Sequence, residues 1–187
     1  MIYGLSDLHL DYTGDKSMEV FGSAWENYEE RMFKAWREIV KEDDYVVVPG
    51  DISWALKIEE AYNDLKRIES LPGKKIFLKG NHDLWWSSLS KVNGLNLKNM
   101  FFLQNNSFET ERYVFIGTRG WVSPKSSEFS EDTDRKIYNR ELMRLKLSYD
   151  SVKNKEKENE IIANLRKFIL NSMINGKIKF YCSENET

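Results

Sequence analysis

The sequence predicts an α/β fold on two observations: short apolar runs alternate with longer amphipathic stretches, and the first three apolar runs each stop at a polar cluster. Met1-Ile2-Tyr3-Gly4-Leu5 reads as a first strand ending at a sheet edge. Over residues 24–41, Trp25, Tyr28, Met32, Trp36, Ile39 and Val40 recur at helical spacing between charged residues, which predicts an amphipathic helix packed on a sheet. Tyr45-Val46-Val47-Val48 is a second strand, residues 58–70 a second helix ended by Pro72-Gly73, and Lys75-Ile76-Phe77-Leu78 a third strand. That order implies a parallel sheet with right-handed crossovers.

Further on, residues 100–103 and 113–116 predict two more strands, and residues 134–150 and 158–168 two more helices. Residues 123–132 carry proline, serine and acidic residues without a period and predict a surface loop. The charge run over 153–159 predicts a solvated turn between helices. Without an internal repeat or linker, the 187 residues suit a single globular domain.

Composition narrows the function classes. A chain that is 41% hydrophobic and 31% charged with three prolines is neither disordered nor collagen-like. A net charge of −2 and a pI near 5.8 supply no positive field for a phosphate backbone, so nucleic acid is unsupported as a partner. The single cysteine, Cys182, has no intramolecular disulfide partner, and the N-terminus lacks the layout of a secretory signal. A soluble, cytoplasmic protein is expected, because no apolar run approaches the roughly 20 residues that span a bilayer.

Ligands of open α/β sheets sit beyond the carboxyl ends of the strands. There the chain presents Ser6-Asp7-Leu8-His9-Leu10-Asp11, then Pro49-Gly50-Asp51, then Lys79-Gly80-Asn81-His82-Asp83. Asp7 and His9 are two apart, so on extended backbone both point to one side and Leu8 to the other, an arrangement suited to gripping one cation. Gly50 and Gly80 allow sharp turns that bring Asp51 and Asn81 near one another. Two carboxylate oxygens let Asp51 bridge two cations about 3.5–4 Å apart. Singly each pair is a common chance occurrence, and an aspartate after a strand also serves as a helix cap.

D-x-H, then G-D, then G-N-H-D, in order at successive strand ends, resembles the signature of the calcineurin-like metallophosphoesterases, with family-like sequence over about 1–168 and a divergent end over 169–187. The resemblance implies a layered sandwich of mixed β-sheets flanked by helices, incomplete at the C-terminus. It implies that Asp7, His9 and Asp51 bind a first metal and Asp51 and Asn81 a second. It also implies that His82, which otherwise merely caps a turn, lies near the substrate, where it stabilises charge or protonates the leaving oxygen. Phosphatase members support that histidine with an acid three residues after the bridging aspartate; Trp54 stands there in this chain. Carboxylate, imidazole and amide donors favour Mn²⁺, with Fe or Zn²⁺ as alternatives. Metal-assisted hydrolysis of a phosphorylated small molecule or nucleotide, as monoester or diester, is the implied reaction.

The family closes its site with three further histidines, whereas this chain has only His9 and His82. The second metal site is therefore expected to be weakened. Residues 166–170 resemble the start of the next buried strand, followed by Asn171 where a histidine belongs. A truncated or frame-disrupted member with impaired catalysis, a natural short variant, and ligands from a second chain are the alternatives, and an exposed sheet edge would invite self-association. Trp54, Trp85, Trp86 and Trp121 lie near predicted strand ends and either wall the cleft against a planar leaving group or pack in the core. Arg119 offers a forked donor to phosphate or a surface salt bridge. The segments around Trp54, Trp86 and Trp121 resemble a bacterial branch of predicted phosphohydrolases.

Overall fold

The computed structural model describes residues 1–153 and the backbone of two later strands, Glu160–Leu165 and Ile178–Tyr181. Packing divides the chain into two units, Met1–Phe102 and Leu103–Thr187.

In the first unit, β1 (Ile2–Gly4), β2 (Tyr45–Val48), β3 (Lys74–Leu78) and β4 (Met100–Leu103) form a sheet in that order. β1 runs parallel to β2 and β2 to β3, with Tyr3 opposite Val46 and Val47 opposite Ile76. The crossovers are α1 (Tyr28–Ile39) and α2 (Ile58–Glu69), and a short α3 (Leu89–Asn93) precedes β4. α1 begins four residues later than its periodicity suggests. A 3-10 turn at Ser23–Trp25 and a left-handed Asn27, at φ 51°, interrupt the pattern before the first helical residue. The start of α2 is set by Glu60, whose carboxylate accepts the amides of Leu56 and Lys57 at 3.1 and 3.3 Å. Val46, Val48 and Phe77 from the sheet, Phe33 and Trp36 from α1, and Leu65 and Ile68 from α2 belong to one buried cluster. Trp85 and Trp86 belong to it too, so for these two tryptophans core packing is the outcome.

The second unit holds β5 (Phe108–Glu109), β6 (Tyr113–Thr118), β7 (Glu160–Leu165) and β8 (Ile178–Tyr181), in that order. β5 and β6 are antiparallel, and β6, β7 and β8 are parallel, giving the mixed sheet that the family resemblance implies. α4 (Glu131–Asp150) packs Leu145 and Tyr149 against Val114 and Ile116 of β6. It starts earlier than expected, taking Glu131 and Asp132 from the anticipated loop, where their charges favour the positive end of the helix dipole.

The helix expected over 158–168 is overturned: residues 160–165 form β7, paired on one side with β6 and on the other with β8. Charged flanks lend this stretch a helical look, but Ile161-Ile162-Ala163 is a short apolar run whose state periodicity alone does not fix, and backbone pairing on both edges decides. Most of the expected turn at 153–159 and the strand start at 166–170 lie outside the described residues. No helix among the described residues is long and apolar enough to cross a membrane.

Candidate metal centre

Asp7, His9 and Asp51 converge at the carboxyl ends of β1 and β2, each offering a ligand atom within 4.8 Å of the others. His9 Nε2 lies 3.6 Å from Asp7 Oδ1 and 3.9 Å from Asp51 Oδ2. Those separations are too long for hydrogen bonds. Donors about 2.1 Å from a shared cation stand about 3.0 Å apart at right angles and about 3.6 Å apart at 120°. The 3.6 Å separation matches the wider of these angles and the 3.9 Å separation is slightly longer, so the three side chains form a group that could hold a metal ion.

The backbone brings them together by a different route from the one expected. Asp7 and His9 are not extended: their φ angles are 58° and 45°, and that of Asp51 is 52°. All three residues have φ in the left-handed region, which aspartate and histidine tolerate better than most residues but which costs energy and persists only where the surroundings hold it. Backbone bonds zip the two loops, from the Asp7 amide to Gly50 O at 3.2 Å, from the His9 amide to Asp51 O at 2.9 Å and from the Leu10 amide to Ile52 O at 3.0 Å. Leu8 and Leu10, alternating with the ligands, are buried in the core.

Gly50 has φ 114°, and a Cβ there would stand 2.5 Å from Gly80 Cα. The loops after β2 and β3 thus meet backbone to backbone, which only glycine at position 50 permits. Asn81 follows Gly80 and is exposed. His82 is exposed as well, and its amide donates to Asp51 Oδ1 at 2.9 Å.

Trp54 stacks on His9 with ring centroids 4.5 Å apart and 18° between the planes, and meets the ring of His82 edge-on at 4.8 Å. His9 Nδ1 has no hydrogen-bond partner among the described residues, so the stack on Trp54 orients the ring where an acceptor would ordinarily do so. One face of Trp54 is thereby taken. Arg119 and Trp121 belong to the second unit, where the Arg119 guanidinium sits 4.8 Å from the Trp121 ring and 3.8 Å from the Glu141 carboxylate. The Trp121 indole donates to Asp134 at 2.8 Å.

Two groups that hold the loops escaped the sequence reading. Asp83 is fully buried and accepts from the amides of Gly80 at 2.7 Å, Asp51 at 2.8 Å, Ile52 at 2.8 Å and Ser53 at 3.3 Å, and from the Trp85 indole at 3.1 Å. It ties the G-D loop to the G-N-H-D loop. Burial pushes its carboxyl above the usual carboxylate range and Asp51 adds to that, while the amide donors pull the other way. The available signal was its place as the acid of G-N-H-D. The second group is Tyr28, whose hydroxyl donates to His9 O at 2.6 Å. Burial first, then the Glu29 charge, push this phenol above its ordinary value, so it stays a donor. Its place in the helical stripe of α1 masked it.

The sheet and the Asp–His–Asp group define a protein with a potential metal site at its strand ends. Residues 1–171 match the family model for the calcineurin-like phosphoesterases, and the chain belongs to that family. Membership implies metal-dependent hydrolysis of phosphoesters. No curated protein matches the chain. Among solved structures, the crystal structure of a protein of unknown function from Aquifex aeolicus is similar, at 16% identity and a TM-score of 0.49, over 97% of this chain and 88% of that one.

Proposed function

We propose that this chain is a phosphoesterase whose Asp7, His9 and Asp51 hold a first divalent cation and whose Asp51 and Asn81 share a second, with Mn²⁺ the preferred ion. The convergence of Asp7, His9 and Asp51 carries this reading. A bound divalent pair supplies Lewis-acid polarisation of the phosphoryl group and an acidified water near neutral pH. The chain's own residues supply the positioning. Asp51, pinned through Oδ1 by the His82 amide, directs Oδ2 toward His9. His82, exposed and 5.7 Å from the His9 ring, is the group that protonates or stabilises the leaving oxygen. Trp54 gives it an aromatic neighbour in place of a carboxylate and walls the cleft beside the ligands. Arg119 is the lesser candidate for a phosphate contact.

The substrate is a phosphorylated small molecule or nucleotide, and one phosphoesterase domain over 1–187 acts on it. The lone cysteine suits a reducing cytoplasm. A second reading, an impaired hydrolase with weak metal binding, is favoured by the histidine count: with two in the chain, any further imidazole ligand must come from outside these 187 residues.

Hydrolysis of bis(p-nitrophenyl) phosphate and p-nitrophenyl phosphate, with and without Mn²⁺, separates the two readings. Active catalysis requires turnover that depends on Mn²⁺ and falls by about 100-fold or more in Asp51→Asn. A folded protein that binds Mn²⁺ and shows no turnover above that variant is the impaired hydrolase.

A further inference from the structure

The left-handed turn carrying Asp7 and His9 needs support from outside its own residues, and α1 provides it. The Tyr28 hydroxyl donates to His9 O at 2.6 Å, and the Asp11 amide donates to Glu29 Oε1 at 3.2 Å. These two bonds grip the peptides on either side of Leu10 from adjacent residues of one helix turn. Glu29 is in turn fixed by an ion pair with Arg67 of α2, and Arg67 reaches Asp64 at 3.5 Å. Asp64 accepts the Ser53 hydroxyl at 2.7 Å. The chain of contacts thus runs from the loop after β1, through the first turn of α1 and along α2, to the loop after β2. Both metal-binding loops are held at its two ends. The chain of contacts therefore touches the ligand residue His9 directly at one end and reaches the loop of Asp51, at Ser53, at the other.

We propose that Tyr28 and Glu29 are positioning residues that hold the Asp7–His9 turn in its metal-binding shape. This rests on the metal-site reading above, and the test separates the two.

The chain contains two histidines, so ¹³C-histidine labelling gives two backbone signals, one for the gripped turn and one for His82. In metal-free protein, Tyr28→Phe is expected to shift or split the His9 Cα signal while leaving that of His82 in place, whether or not the protein hydrolyses anything. Calorimetric titration with Mn²⁺ is then expected to show affinity reduced about tenfold in Tyr28→Phe, the loss usual for a residue that orients a ligand. Trp36→Phe serves as control: it removes a bond of similar kind in the same unit, from the indole to Pro72 O at 3.0 Å, and should lower the melting temperature without moving either His9 or Mn²⁺ affinity. Glu29→Gln, which keeps the acceptor for Asp11, should retain more affinity than Glu29→Ala.

A His9 signal unchanged in Tyr28→Phe overturns the proposal, as does an unchanged Mn²⁺ isotherm with only a lower melting temperature. If the wild-type protein binds no Mn²⁺ but His9 responds, the metal reading fails and Tyr28 is left a support of the turn alone, which also overturns the assigned role.

Discussion

The strand-end loops of the first unit and the α4 face of the second each bury a carboxylate completely, and they compensate it by opposite means. Asp83 accepts from four backbone amides and one indole. Glu141 is met by Arg144 at 2.7 Å, by Arg119 and Arg140 at 3.8 Å, and by the Thr118 hydroxyl at 2.5 Å. Amides are fixed dipoles of the loop itself, so a carboxylate that gathers them dictates backbone shape. Arginines are long and partly exposed, so they neutralise charge without fixing any backbone. The G-D and G-N-H-D loops are therefore organised through their own main chain, whereas the loop of Asp7 and His9 draws on α1.

The largest effect expected from this contrast is that of Asp83→Ala. Five buried donors lose their acceptor at once, and unfolding in urea should show a loss of more than about 3 kcal/mol. Mn²⁺ binding should disappear with it, because Asp51 and the Gly80 turn lose their common anchor. Asp83→Asn, which keeps one acceptor oxygen, should fall between. A loss below about 1 kcal/mol for Asp83→Ala would mean that the backbone bonds between the loops after β1 and β2 suffice, and the contrast would break.

Glu141→Gln should cost less. The amide still accepts from Thr118, and the arginines, partly exposed already, can turn to solvent, so a loss of about 1–2 kcal/mol is expected. Equal losses at Asp83 and Glu141 would show that charge compensation, not loop geometry, decides both.

The same distinction explains what was legible in the sequence. β2 shows plainly in Tyr45–Val48 because a buried parallel strand is a continuous apolar run, and the ligands show because each follows such a run. The left-handed φ angles at Asp7, His9 and Asp51 cannot be read from residue type, since aspartate and histidine, though enriched at positive φ, mostly occur outside it. Asp83 and Tyr28 act across 31 and 19 residues respectively, on Ile52 and His9, and no local period records a bond of that span. β7 was lost for the same reason: its state is decided by the strands on its two sides.

Asp64 stands between the two modes, with one hydroxyl and one arginine, and its titration gives the smallest but finest measure of the contrast. Burial raises its pKa from 3.8 to about 6, opposed by the Ser53 bond and by Arg67. Between those values the folded protein holds a proton that the unfolded chain has released. The resulting stability is complete below about pH 4 and is lost as pH rises through about 6. Relative to Asp64→Asn, which cannot titrate, the wild-type protein should therefore lose on the order of 1–3 kcal/mol between pH 4 and pH 7. Urea unfolding of both proteins at each pH measures the difference and cancels the other titrating groups. A flat difference would mean that one hydroxyl and one arginine offset burial fully, and that a mixed shell compensates a buried charge as well as the amide cage around Asp83.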